Sequence, residues 1–333
     1  MDATCSGLSR TLAVLRSILG GYAQIYFGQR MVSGLLFLAA TLVVPLRGLS
    51  GLLTLLLANL WALVLGRPRK HIEEGYYAFN GLLVGLALGL FFRFSPEFVL
   101  VLVLASLLSV LIAAGVRNLS ERYLGLPVLS LAFVLATWLA LLATRRFASV
   151  QFTLETVEAA GLGAGVFPAG VELYLRSLGA AFFQLSVFSG LFVALGLLIF
   201  SRWAFILSIV GFATGWAVYV ALGGTASDLT QEFIGFNFIL TAIAVGGIWL
   251  VLHPASMLLA AVAAALSALL AAAGLSLLRP FGLPVLAMPF IMAVQLIIFI
   301  VLIRPTTGWL RLVRHVPESP ERNLSRATYM ERR

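Results

Sequence analysis

The sequence predicts an all-α polytopic membrane protein made of two inverted-topology repeats, each with five transmembrane helices plus one re-entrant half-helix. Three observations lead there. Of 333 residues, 61% are hydrophobic and 11% charged, with a mean hydropathy of +1.06, whereas a soluble domain is about 45–50% apolar and about 25% charged. The apolar residues fall into runs broken by Arg, Gly or Pro. Short strings from the first half return in the second at a nearly fixed separation.

In order, the runs are 12–27, 33–46, 49–65, 76–92, 99–116 and 128–143, then 171–183, 189–200, 204–222, 234–250, 254–278 and 285–303. The bilayer core has no water to satisfy backbone groups, so each run is expected to be a helix. Residues 144–170 are more polar, carry Gly161, Gly163, Gly165 and Pro168, and read as a connector that crosses no membrane. After Ile303 the chain turns polar, with Arg322, Arg326, Glu331, Arg332 and Arg333 near its end, and this tail is expected to be disordered. The division is a first membrane repeat over 1–146, a connector over 147–170, a second, inverted repeat over 171–304 and a polar cytoplasmic tail over 305–333. Met1 to Gly7 has no basic n-region or cleavage site, so nothing there reads as removable, and the single Cys5 forms no intramolecular disulfide.

The repeat is carried by three strings. Ser33-Gly34-Leu35 returns 156 residues later as Ser189-Gly190-Leu191. Phe79-Asn80 and Gly125-Leu126-Pro127-Val128-Leu129 return 157 residues later as Phe236-Asn237 and Gly282-Leu283-Pro284-Val285-Leu286. Three matches in one order at spacings of 156 and 157 mark two homologous halves. The first run of each half carries Arg16 and Gln24, or Glu172, Arg176 and Gln184. A charge at mid-bilayer costs at least about 2.5–3.5 kcal/mol, so these two runs are read as re-entrant and the other ten as crossings.

Charge sets the orientation. Ten crossings gather Arg10, Arg16, Arg30, Arg67, Arg69, Lys70, Arg117, Arg122, Arg202 and the seven arginines from Arg304 onward on the side of the termini, sixteen of 22 basic residues. Arg47, Arg93, Arg145, Arg146, Arg176 and Arg279 stay on the other. The positive-inside rule then makes both termini cytoplasmic, in the inner or plasma membrane. Five is odd, so the second half enters the membrane inverted. The net charge of +9 is read as topology and anionic-lipid contact, not nucleic-acid binding.

Outside the two first runs, no ionisable residue lies well inside an apolar run. Glu73, Glu74 and Glu232 read as solvated loop charges, and His71, His253 and His315 have no metal-ligand partners at usable spacing. An ion-coupled pump needs relays within the membrane, and a metal or covalent enzyme needs clustered ligands or nucleophiles; no metal or cofactor is expected. Neutral groups stand at helix ends and breaks instead: Gln24, Asn80, Asn237, Ser130, Thr241 and the Leu-Pro breaks at Pro127 and Pro284. Such groups at matching breaks of inverted repeats point to a path for a small neutral polar solute at the repeat interface. Asn80 and Asn237 are expected to bond the broken helix ends.

These residues resemble the urea transporter family. The strings QIYFGQRMVSGLL from Gln24, RKHIEEGYYAFNGLLVG from Arg69 and LPVLSLAF from Leu126 are similar to its ordered elements, and the second half repeats the series over 179–190, 235–240 and 283–290. The resemblance spans about 12–305. It implies a homotrimer with a pore in each protomer and passive, channel-like conduction of urea or a similar small amide. By position, Gln24 would supply a pore amide oxygen, Phe27 and Phe183 wall positions on the two re-entrant helices, and Phe79 and Leu83 with Phe236 and Leu240 the faces of a slot. Ser130 stands where the family usually has Thr, as a hydroxyl acceptor. The matching second-half positions are Ala180 and Ala287, so half of the polar set is missing, and no Asn-Pro precedes either Ser-Gly. Gln184, four residues after Ala180, is expected on the same helix face as a replacement. The missing groups motivate an alternative, a path for ammonia, water or a short amide on the same scaffold.

Overall fold

The computed structural model describes residues 2–152, 163–303, 309–313 and 318–331. Gly161, Arg304, Arg314, His315, Arg332 and Arg333 lie outside the described residues, as do the side chains of Cys5, Arg10, Arg122 and Glu331. The first half comprises α1 (Asp2–Gln24), α2 (Met31–Thr41), α3 (Pro45–Val64), α4 (Arg69–Glu73), α5 (Tyr76–Phe91), α6 (Pro96–Leu119) and α7 (Leu131–Thr144). The second comprises α8 (Ala169–Ala180), α9 (Val187–Phe200), α10 (Arg202–Ala221), α11 (Ala226–Gln231), α12 (Gly235–Ile243), α13 (Pro254–Leu278) and α14 (Met288–Ile303). A further helix, α15, spans Pro320–Glu331. Among the described residues extended pairing is limited to two isolated bridges, Phe92 with Phe152 and Leu250 with Leu312.

Local chemistry sets the helix starts. Proline opens α3, α6 and α13, where its missing N–H would have no intrahelical partner anyway. Ser95 Oγ caps the Phe98 N–H at 3.1 Å, and Ser201 Oγ caps Ala204 at 3.0 Å. His253 caps α13 through Nδ1, 3.2 Å from the Ala255 nitrogen, a role its sequence context did not suggest.

Among the described residues, four helices are long and apolar enough to cross a membrane: α3, α6, α10 and Pro254–Phe281. Six more are shorter and apolar: α2, α5, α7, α9, Gly235–Ile248 and α14. Their surfaces are reversed relative to a soluble protein. On α3, Leu49, Leu56, Leu60 and Leu63 are exposed, while Ser50, Thr54, Ala58 and Ala62 are buried. Leucine faces lipid and small residues let helices approach, as packing without a hydrophobic drive between helices requires. The chain is a multi-pass membrane protein.

Packing repeats across the halves. α3 lies on α5 and α6 as α10 lies on α12 and α13; α1 lies on α2 as α8 lies on α9; α2 meets α9, and α7 meets α14. The repeated Ser-Gly explains itself here. A Cβ on Gly34 would stand 2.1 Å from the Leu19 carbonyl oxygen, and one on Gly190 2.1 Å from that of Leu175, so only glycine permits either crossing.

Three expectations change. α1 is no short segment: it starts at Asp2 and runs 23 residues, because Ser and Thr continue a helix whose backbone bonds are internal. The polar tail is not disordered over 320–331: α15 packs on the second half. Asn323, fully buried, donates from Nδ2 to the carbonyls of Gly247 at 2.9 Å and Ile248 at 3.2 Å, within a π turn (Ala244–Ile248) that extends α12 and frees those acceptors. Arg47, taken as a loop charge, is buried in the first turn of α3.

Candidate functional site

Two helices stop inside the molecule. α1 ends at Gln24 and α8 at Ala180, each followed by a tight turn in which Phe27 (φ 62°) and Phe183 (φ 58°) are left-handed. Leu129 (φ 52°) and Leu286 (φ 53°) do the same before α7 and α14. Such a conformation costs a non-glycine residue about 1–3 kcal/mol and persists only where its surroundings hold it, which makes it a marker of functional geometry. With Phe233 (φ 52°), these are the five such residues described.

Two buried amides hold the breaks. Asn80 Oδ1 accepts the Phe133 N–H at 3.0 Å, and Asn237 Oδ1 accepts the Phe290 N–H at 3.2 Å while its Nδ2 donates to the Leu286 carbonyl at 3.0 Å. The proline carbonyls bind across the halves. Gln295 Nε2 donates to Pro127 at 3.1 Å, and Trp138 Nε1 donates to Pro284 at 2.8 Å. Residues 138 and 295 are themselves 157 apart, so each half supports the break of the other in the same way.

Between these breaks lies a cavity of about 350 Å³, many times the space one water needs. Gln24, Phe27, Phe79, Leu83, Ser130, Phe183, Phe236 and Leu240 all line it, together with Pro127, Phe133 and Phe290. Asn80, Asn237 and Pro284 stand behind this lining. The rings pair across the halves: Phe27 with Phe290, centroids 6.1 Å apart, and Phe183 with Phe133, 6.0 Å apart. Both separations fall in the range of favourable tilted contacts. Phe27 and Phe183 sit three residues past their helix ends, in the turns rather than on the helices.

One end of the cavity is polar. Gln24 Nε2 donates to the Glu74 carbonyl at 3.0 Å. A carbonyl only accepts, so this fixes the amide's orientation and leaves Oε1 as its other end. Gln29, Glu74, Tyr76 and Arg117 complete that rim, with Lys70 Nζ 3.9 Å from Glu74 and the Arg117 guanidinium 4.6 Å over the Tyr76 ring. Glu74, in the turn between α4 and α5, and Arg117, in the last turn of α6, are thus rim groups rather than loop charges, and water still reaches both side chains.

The second half lacks this set. Ala180 is fully buried and its neighbour Ala181 lines the cavity instead, as does Ala287. Gln184 does not replace Gln24. The helix ends four residues before it and Phe183 reverses the backbone, so helical spacing no longer applies; Gln184 Nε2 donates to the Thr41 carbonyl at 3.1 Å, away from the lining. Reading the sequence also missed Arg47, whose Nη1 donates to the Phe183 carbonyl behind the wall. Its signal was present: an arginine at the start of a helix, where the macrodipole disfavours a cation.

The comparisons agree with this geometry. The family model described as "Urea transporter" matches residues 15–302, which take in both helix breaks and the whole cavity lining. Among curated proteins, Urea transporter 1 of Rattus norvegicus is 26% identical over 325 residues, covering 94% of this chain and 81% of the relative. Urea transporter 1 of Ovis aries is 25% identical over 294 residues, covering 85% and 76%. Urea transporter 1 of Mus musculus is 26% identical over 299 residues, with the same two shares. A match that runs through both halves, both breaks and the cavity between them places the chain in the urea transporter family.

Proposed function

We propose that this chain conducts urea passively across the membrane, down its gradient, without chemical turnover. The observation that carries the reading is the cavity itself, walled by matched rings of both halves and ending on an amide whose nitrogen is turned to the Glu74 carbonyl. Flat apolar walls admit a thin planar solute. Urea shedding water needs acceptors for its N–H groups, since a desolvated donor left unpaired is costly. Gln24 Oε1 and Ser130 Oγ serve as those acceptors. Phe27, Phe183, Phe79 and Phe236 with Leu83 and Leu240 form the slot, and Asn80, Asn237, Pro127 and Pro284 hold its shape. Weak, successive contacts let the solute leave as readily as it enters. The three relatives are named for urea, not for ammonia or water, and the alternative solutes are not favoured.

The ten apolar helices are the crossings, and α1 and α8, which fall outside that set, are the re-entrant pair. Five crossings per half make the second half inverted, with both termini cytoplasmic in the inner or plasma membrane and the lipid bilayer as solvent. The reciprocal Trp138 and Gln295 bonds support the pseudo-two-fold relation. The homotrimer rests on the family resemblance.

Stopped-flow light scattering on proteoliposomes under an inward urea gradient tests the reading. Urea permeability well above that of empty vesicles is expected. Permeability equal to empty vesicles, with the protein shown folded, overturns it.

A further inference from the structure

The two ends of the cavity differ. At the first-half end Glu74, Tyr76 and Arg117 line it, and their counterparts 157 residues on are Gln231, Phe233 and Gly274. None of these three lines it. Phe233 stands where the second end should open. The short helix α11 lies against α8, which brings its C-terminus to the turn that holds Phe183. The Phe233 ring lies on the Phe183 ring, centroids 6.0 Å apart with 39° between the planes. Phe183 lines the cavity, and so does Phe236, three residues past Phe233, whereas Phe233 is half-buried and outside the lining. Its ring lies between the cavity wall and the surface.

The backbone marks the same position. Four of the five left-handed non-glycine residues flank the helix breaks; the fifth is Phe233 (φ 52°). The corresponding short helix of the first half, α4, is followed by Gly75 (φ 77°), a residue that bears such a conformation without strain. A phenylalanine in the glycine's place persists only where its surroundings hold it, and the Phe183 ring supplies that hold. In the first half the matching aromatic, Tyr76, is the first residue of α5, and the Arg117 guanidinium lies 4.6 Å over its ring. Gly274 offers Phe233 no such partner, and the ring turns onto the wall instead.

We infer that Phe233 is the gating residue of the second-half end: stacked on Phe183 it closes the path, and urea passes when the ring leaves, a movement that also releases the backbone strain. This rests on the urea-channel reading. The test reconstitutes wild type, Phe233→Ala, Phe233→Gly and Phe233→Tyr and measures urea permeability per protein by stopped-flow light scattering at a series of temperatures. Phe233→Ala should raise permeability about three- to tenfold, the strength of one aromatic pair, and flatten its temperature dependence, because opening no longer limits the flux. Phe233→Gly, whose backbone suits this turn, should do the same. Phe233→Tyr keeps the ring and should stay within about twofold of wild type. A residue that only packed would instead lower permeability together with the unfolding temperature when truncated. Folded Phe233→Ala or Phe233→Gly that carries urea no faster than a conducting wild type overturns the inference. Should neither variant fold, a wild type whose permeability rises with temperature no more steeply than urea diffuses in water overturns it. No urea flux in either wild type or Phe233→Ala, both folded, overturns the channel reading instead.

Discussion

In the first half, α1 ends on Gln24, whose amide stands at the cavity; 156 residues later α8 ends on Ala180, fully buried and outside the lining. Ser130 faces the cavity in one half, and Ala287 in the other. Yet the supports behind these positions are duplicated nearly bond for bond. Asn80 and Asn237 each accept the N–H of a phenylalanine, Gly34 and Gly190 each pass a helix at contact distance, and Trp138 and Gln295 each hold the opposite proline carbonyl. The difference teaches that two separate requirements act on this fold. The backbone breaks need a fixed set of partners in both halves, whereas the polar groups that face the cavity are concentrated in one.

The largest test of that division is Asn237→Ala. It strands the buried Phe290 N–H and one bond to the Leu286 carbonyl, each costing about 1–3 kcal/mol. Thermal unfolding in detergent should show a loss of about 3 kcal/mol, and Asn80→Ala, which strands only the Phe133 N–H across elements, about half of that. Equal, negligible effects would break the claim that the amides hold the helix ends.

Next in size is Gln24→Leu, expected to cut urea permeability by about tenfold through one lost acceptor, worth about 0.5–1.5 kcal/mol. Ala287→Ser should change flux by less than about threefold, because that end of the path already works without a hydroxyl. Intact flux in Gln24→Leu removes the polar end from the account. A smaller effect is expected for Asn323→Ala. It releases α15 from the Gly247 and Ile248 carbonyls at a cost of about 1–2 kcal/mol. Protease should then cut the tail faster, with urea flux reduced by less than about threefold, since Ile248 and Trp249 line the cavity from that turn.

The smallest effect is on pH. Burial pushes the Glu321 carboxyl up, but hydrogen bonds from the Ser201 hydroxyl, from the Glu321 and Trp203 backbone and from Ser319 outweigh it and hold it below 4.5. A carboxyl lowered by docking stabilises the docked form above its free value, and that contribution fades as pH falls through the lowered one. Tail protection should match between pH 8 and pH 6 and loosen only below about pH 4; loosening already at pH 6 would exclude Glu321 as the group responsible.

Much of this was legible in the chain. Apolar runs marked the helices because lipid leaves the backbone no other choice, and the 157-residue spacing of Phe-Asn and Leu-Pro located both breaks. The eight residues drawn from those motifs meet around one cavity. Gln184 was misplaced because helical spacing fails once Phe183 turns left-handed. Arg47 looked like a boundary charge, since sequence does not show that a helix will bury its own first turn. Asn323 stood in a polar tail without apolar periodicity, and its partners are carbonyls freed by a π turn that no residue pattern announces.

The central claim is that urea passes between the two halves, through the slot that Leu83 and Leu240 help to form. Urea permeability of Leu83→Trp proteoliposomes, with unfolding temperature shown equal to wild type, tests it most directly. The account predicts permeability at the level of empty vesicles, because the indole fills the slot. Permeability equal to wild type would place the path elsewhere and contradict it.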